Sequence, residues 1–383
     1  MYSNRIIRST LIRRLVLVFM SAFDMITVAV SQYYPNEPLV DGGVYSLDVP
    51  VDARSTAMGE SFTALKNNSA ATMYNPAGLA GLKGISFQYG QRALRDEINL
   101  SSLRYRSFVM TFCVSSFNVG ISYLRYDPSS YDFTFAVDSS LQRTHIKTHD
   151  ETLTVAIANS LADRLAVGLA FKVFDAARTA DAAWYTPLST SPAFLFDFGF
   201  IYSHPGFLSN ALLDDSFSIG ASLQNIGTDF RGKDVIGRVN EGVIRLPRYS
   251  RLGISYVISV PDPTDGLTTF SALFTAEYRN LLNAGSTEDN RDFWGFGVET
   301  TFLELLSARL GGFVQPFKSV TGDRGIPAIR YGLGMNLPLS RFGIAVPLGV
   351  GIEYAGFPVQ NYTEYFHQAY TTWNVELSYR PRN

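Results

Sequence analysis

From Gly84 onward the chain repeats with a period of two. Leu165, Val167, Leu169, Phe171 and Val173 alternate with Ala166, Gly168, Ala170 and Lys172. Phe217, Ile219, Ala221 and Leu223 alternate with Ser218, Gly220, Ser222 and Gln224. The runs Ile344–Tyr354 and Trp373–Tyr379 repeat the pattern. Successive side chains of a strand point to opposite faces, so one face here meets an apolar medium and the other a crowded polar space. A soluble sandwich alternates too, but three features argue against one. The segments run to about 10–15 residues, where soluble strands average about 5–6. The apolar face stays apolar to both ends and often finishes in Tyr, Phe or Trp, as an aromatic girdle requires. The connections also alternate in length.

Strands are expected at 84–91, 98–112, 116–127, 149–160, 163–177, 192–204, 215–227, 246–260, 267–281, 291–303, 306–317, 326–337, 341–356 and 368–380. A set of about fourteen is even, which brings both termini to one side. The gaps after the second, fourth, tenth and twelfth strands hold a few residues. Those after the third, fifth, seventh and thirteenth hold roughly 10–20, well beyond a tight hairpin. The gap at Pro205–Asp214 breaks the rule. Short turns on one side and long loops on the other are the pattern of an all-β, transmembrane antiparallel barrel of the outer membrane, short side periplasmic. Lipid offers no hydrogen bonds, so such a sheet must close. Outer-membrane lipid is thus the first expected partner.

Composition narrows the alternatives. Hydrophobic residues make up 46% and charged residues 17%, yet no apolar stretch after the first 30 positions reaches the roughly 18 residues of a spanning helix. The net charge of −2, with no basic stripe among aromatics, argues against nucleic acid. The single cysteine, Cys113, excludes an intrachain disulfide and is too far from the start for a lipid anchor. Arg5, Arg8, Arg13 and Arg14 precede an apolar core that ends in Ala29-Val30-Ser31, an export signal with cleavage before Gln32. The expected organisation is a signal peptide (1–31), a lead and lumen hatch (32–83) and the barrel (84–383).

The hatch is read from "SAATMYNPAGLAGLKG" (Ser69–Gly84) and the residues before it. Ala53, Ser55, Ala57, Gly59 and Ala64 let a short helix sit close to a wall. Pro76 cannot continue a helix and holds Asn75 extended. Gly78 is read as a turn residue at positive φ. Arg54 is placed to pair with a lumen carboxylate. On the small-residue faces of the strands lie Lys172, Arg251, Glu277, Arg279, Glu299, Arg309, Arg330, Glu353, Glu376 and Arg380. Both signs occur on neighbouring strands, as in a lumen held by paired charges; a polar conduction path or a hatch anchor are the alternatives. No nucleophile elbow, phosphate loop or metal-binding helix motif occurs, so no enzyme activity, cofactor or metal is expected.

Two blocks carry a family resemblance. "DARSTAMGESFTAL" (Asp52–Leu65) contains Arg54, Met58 and Gly59; "AATMYNPAGLAGL" (Ala70–Leu82) contains Asn75, Pro76 and Gly78. Together with "SLQNIG", "LPRYSRLGISY" and "FWGFGVETTFLELLSARLGG", they resemble the PorV/PorQ family of outer-membrane proteins, itself similar to the FadL channels. The resemblance implies a barrel with an N-terminal hatch in its lumen and a role in type IX secretion, with secretion components or cargo as partners at the loops and rim. The second reading is a FadL-like channel for a hydrophobic small molecule. It would need a continuous apolar interior, whereas the inward positions read mainly as glycine, serine and charge.

Overall fold

The computed structural model describes residues 45–48, 52–96, 104–127, 131–137, 140–180, 192–207, 213–233, 241–244, 246–261, 268–282, 293–314, 328–342, 344, 346–357 and 368–380. The expected signal peptide and most of the lead lie outside them. The strands are β1 (Ile85–Asp96), β2 (Arg104–Val114), β3 (Phe117–Asp127), β4 (Tyr131–Val137), β5 (Ser140–Ala162), β6 (Leu165–Ala180), β7 (Ala193–Pro205), β8 (Asp214–Gly227), β9 (Phe230–Lys233), β10 (Glu241–Ile244), β11 (Tyr249–Pro261), β12 (Thr268–Leu281), β13 (Phe293–Phe302), β14 (Leu306–Val314), β15 (Ala328–Pro338), β16 (Leu348–Phe357) and β17 (Gln368–Tyr379).

Fourteen of these strands form one closed antiparallel barrel. Each pairs with its neighbour in the chain, β8 with β11 across the β9–β10 hairpin, and β1 with β17. The circle closes between β3 and β5, where Asn118 lies opposite Ala158 and Tyr126 opposite Asp150. Among the described residues each of the fourteen strands pairs on both sides, as hydrocarbon demands.

The two faces sort by solvent. On β7, Phe194, Phe196, Phe198 and Phe200 point outward and stay 40–47% exposed, while Leu195 and Asp197 between them are fully buried. On β13, Trp294, Phe296 and Val298 face out and Glu299 faces in. The outward set is an apolar belt that only lipid can cover without cost.

Three departures from the sequence reading have physical causes. The long gap at 128–148 is not an open loop: β4 pairs with the first part of β5, Tyr131 opposite Ile146, in a hairpin that prolongs the wall. "YDFTFAV" has the aromatic, alternating content of a strand. β9 and β10 form a second hairpin in the gap after β8. The thirteenth barrel strand, expected from 341, begins only at Leu348. A 3-10 turn at Leu339–Phe342 precedes it, held by Arg341 on Glu304 at 3.0 Å. Pro347 has no N–H to give a ladder, and its carbonyl accepts from the Arg380 N–H at 2.9 Å. The connection after β15 is therefore longer than expected, although Ile344 and Val346 keep the exposed apolar alternation.

Candidate functional site: a plug inside the barrel

Residues 52–84 lie within the lumen and touch inward residues of nearly every strand. The first half runs from Asp52 to Thr63. Asp52 caps a short helix (Ala53–Ala57): its Oδ2 accepts from the Ser55 N–H at 2.7 Å. Its Oδ1 accepts from Gln88 Nε2 at 2.9 Å and Asn374 Nδ2 at 3.0 Å. The helix start is thereby tied to β1 and β17. Ala53 and Ala57 pack on Ala355 of β16. Met58 and Gly59 then lie against the backbone of Gly297, Gly311 and Gly312, where a wall side chain would leave no room. Gly59 takes φ +62° here.

Charge holds this half to the wall. Arg54 donates two hydrogen bonds to Glu299 of β13, at 2.7 and 2.8 Å. Glu299 also accepts from Arg309 of β14, and Arg309 Nη2 reaches Glu353 of β16 at 2.9 Å. Glu60 accepts from Arg330 Nη1 of β15 at 2.9 Å. Glu277 of β12 accepts the backbone N–H groups of Phe62 and Thr63 on one oxygen, each at 2.8 Å, and Arg251 on the other, also at 2.8 Å. Arg279 stacks over the Tyr249 ring with its guanidinium carbon 4.5 Å from the centroid. Burial works against the charge of Glu60, but Arg330, Arg279 and Arg251 outweigh it and hold the carboxyl below its ordinary value. For Arg54, burial likewise opposes the charge, and Glu299 raises the guanidinium above its ordinary value.

The second half relies on close packing. A helical turn (Ala71–Tyr74) ends at Asn75, whose backbone is extended at φ −154°, ψ 105°, and Pro76 opens a 3-10 turn (Pro76–Leu79). Asn75 Oδ1 accepts from the Ala77 N–H at 3.1 Å; its Nδ2 donates to Thr63 O at 2.7 Å and to Phe200 O of β7 at 3.1 Å. Ala71, Ala77, Leu79 and Ala80 form one buried cluster with Ala156, Ala158, Ala166, Ala170 and Ile201 of β5, β6 and β7. Wall glycines Gly120, Gly168 and Gly199 face Thr72 and Leu79, Pro76 and Ala77, and Asn75 respectively. Gly78 is not at positive φ, contrary to the turn reading. A Cβ there would meet Leu65 O at 2.5 Å and the Ala71 Cβ at 2.9 Å, so close approach is what requires glycine. The positive angle falls at Gly81, φ +87°.

Of the inward charges read from the sequence, Lys172, Arg251, Glu277, Arg279, Glu299, Arg309 and Arg330 are buried. Glu353 and Glu376 are partly buried and Arg380 is exposed at the barrel end. Arg54, Glu299, Arg309 and Glu353 form one chain of charge, Arg251 and Glu277 another, and Lys172 belongs to neither. Its partner, Asp197 at 2.7 Å, was not among the expected residues. Asp197 sits on the inward register of "AFLFDFGF", between Leu195 and Gly199, so parity alone marks it. Asp52, Glu60, Gln224 and Asn374 were missed as well; Gln224 Nε2 donates to the carbonyls of Met73 and Tyr74, both at 2.8 Å. The interior also holds apolar residues that the sequence reading did not weigh. Phe174, Ala193, Leu195 and Leu246 cluster with Leu47, and Tyr105 and Leu124 cluster with Met73.

Two hollows adjoin the plug. A cavity of about 250 Å³ lies toward the end where β1 begins and β17 finishes, lined by Arg54, Asn68, Glu299, Arg309, Glu353, Glu376 and others. An apolar groove of about 510 Å³ runs outside, between Phe302, Leu306, Leu333, Met335, Ile352 and Tyr354. Thr301, Ser307, Gly334 and Met335 line both.

A closed, even-stranded antiparallel barrel with an apolar outer belt and its own N-terminal segment in the lumen is a plugged barrel of the outer-membrane class. No family model and no curated protein matches the chain. Among solved structures it is similar to the toluene transporter TbuX of Ralstonia pickettii, with 14% identity over 87% of this chain and 97% of that one and a TM-score of 0.46. It is similar to a FadL homologue of Pseudomonas aeruginosa, with 13% identity over 87% and 99% and a TM-score of 0.43. It is also similar to the toluene transporter TodX of Pseudomonas putida, with 8% identity over 85% and 96% and a TM-score of 0.43.

Proposed function

We propose that the protein is an outer-membrane passage for a hydrophobic small molecule, shut by its plug in the conformation described. The observation that carries this reading is the thin wall between β13 and β15. Thr301, Ser307 and Gly334 are small, and they line both the lumen-side cavity and the lipid-facing apolar groove. A molecule that reached the cavity would need only a small local opening to leave into the membrane, where apolar transfer is favourable. The apolar clusters around Leu47 and Tyr105 are packed shut in the conformation described, and they would offer apolar surface to such a molecule only if the plug shifted. In this reading Arg54, Met58, Gly59, Asn75, Pro76 and Gly78 seat the plug, and the inward charges hold it. The long connections and hairpins face outward from the cell and the termini face the periplasm.

The test is uptake of an uncharged aromatic hydrocarbon by intact Gram-negative cells that lack a hydrocarbon channel of their own. Expression of the protein raises uptake, and Ser307→Trp, which fills the shared wall, abolishes the gain at equal surface level. Equal uptake with and without the protein would refute the passage.

A second reading keeps the type IX secretion role, in which the barrel rim and loops bind secretion components or cargo. It is favoured by the blocks at Asp52–Leu65 and Ala70–Leu82 and by the dense ion pairing of the lumen. Site-specific cross-linking from the β4–β5 hairpin in cells that carry a type IX system would trap such a partner; no adduct would count against it.

A further inference from the structure

We infer that the short plug helix at Ala53–Ala57 and the wall at β15 form one latch: the helix backs a strip of that strand that has no inward side chains, and its withdrawal lets the wall yield there. The inference rests on the passage reading for its purpose, the control of exit through the wall. On β15, Leu333 and Met335 point outward and are exposed, so Gly332 and Gly334, which alternate with them, point inward. Two successive inward positions therefore carry no side chain. Glycine in a strand interior weakens it, because nothing is there to pack, and such a stretch depends on what lies against it. Gly334 is also among the residues that line both hollows.

Two groups cover the strip. A Cβ at Gly332 would meet the Ala57 Cβ at 2.5 Å, so the plug helix itself lies on that position. A Cβ at Gly334 would meet Arg309 Nη1 at 2.8 Å and Nη2 at 2.9 Å, so the guanidinium covers the next. Arg309 starts on β14, directly opposite Glu299 of β13, and passes over β15 to Glu353 of β16, which is itself opposite Gly334. Its Nη1 has no hydrogen-bond partner among the described residues, so the guanidinium is held from the two flanks while it rests on Gly334. On one flank the holder is Glu299, which also accepts both hydrogen bonds of Arg54 from the plug helix, at 2.7 and 2.8 Å. Both covers therefore trace to one helix, Ala57 by contact and Arg309 through Glu299 and Arg54. When the helix leaves, Gly332 loses its backing and Glu299 loses one of the two cations that fix it. The lacing of β13 to β16 then loosens where the wall is thin. Local opening is drawn from stretches with few packed side chains, and β15 supplies one beside the groove. By linkage, a wall opened there weakens the seat of the helix by the same factor.

The experiment is amide hydrogen exchange of the full-length protein in lipid nanodiscs, with heat-modifiable mobility as the check that each variant is a folded barrel. Arg54→Ala, a change at a partly exposed side chain, should speed exchange in β15 by about tenfold and leave β6 and β7 as in wild type. Arg309→Gln should do the same. The double variant should exchange no faster than the faster single, because the two arginines act through one carboxylate. Unchanged exchange in β15, or equal speeding around the whole barrel, would overturn the latch. Hydrocarbon uptake by cells that express the same variants separates the latch from the passage. Faster exchange in β15 with no uptake by any form keeps the latch and removes the passage. Uptake by wild type, with β15 unmoved in both single variants, keeps the passage and removes the latch.

Discussion

The two halves of the plug are held by different forces. Asp52–Thr63 faces β12–β17 across carboxylates and guanidinium groups, with Glu60–Arg330, Arg54–Glu299 and the Glu277 amide contacts as its ties. Ala71–Leu82 faces β3 and β5–β7 across alanine and glycine, with little charge. A charged contact is costly to break on one side only, because the abandoned partner stays buried. A small-residue contact gains dispersion from closeness and tolerates no added volume. The first half is therefore the one that charge or protons can release, and the second is a fixed seat.

The largest test removes both halves. Deleting Asp52–Leu82 leaves the lipid-facing strands intact, so the barrel should still insert and its conductance in planar bilayers should rise severalfold. An unchanged conductance would place the segment outside the conduction path. Next is Glu60→Leu, which removes the carboxylate that accepts from Arg330 Nη1 and leaves that buried charge less compensated, and should destabilise the plugged state by about 3–5 kcal/mol. The double change with Arg330→Leu should recover most of that loss, read as the urea midpoint of the heat-modifiable form. A double mutant as unstable as the single would show that the pair does not act as a unit.

Gly168→Val pushes a side chain into the backbone at Pro76 and Ala77, and should cost about 1–3 kcal/mol. If that variant matches wild type, the second half is not closely seated. Arg54→Ala should cost less, about 1 kcal/mol, because Arg54 is partly exposed and Arg309 remains to neutralise Glu299. Smallest near neutrality is the effect of acid. The depressed Glu60 carboxyl contributes stability that is fully present above its ordinary value of 4.5 and is lost as pH falls below that toward the folded-state value. Channel openings should thus rise below pH 4.5 in wild type. In Glu60→Leu that rise should shrink.

The barrel was legible because a membrane forces a simple code. Phe194, Asp197 and Phe198 announce their faces by parity alone, since each strand separates lipid from lumen. The expected strands at 163–177, 215–227 and 267–281 fall within a few residues of β6, β8 and β12. The code failed where alternation outlasts pairing. At 341–347 the outward residues continue, but Pro347 breaks the ladder, and no period reports a missing N–H. At 131–146 the reverse occurred: a gap ruled a loop by length was a hairpin by composition.

The plug was legible in kind but not in its contacts. Small residues, Asn75-Pro76 and the neighbouring glycines mark a segment that must lie close to a wall. The sequence by itself therefore determined a closed sheet with one apolar face, an inner face of small and charged residues, and a compact segment before the first strand. Only the tertiary structure decided which charge meets which. Arg54 and Glu299 are 245 positions apart and Glu60 and Arg330 are 270 apart. Such pairs follow from strand register and from the depth of the plug. Both are fixed by the sum of many packing contacts around the barrel, and a local pattern of residues carries neither.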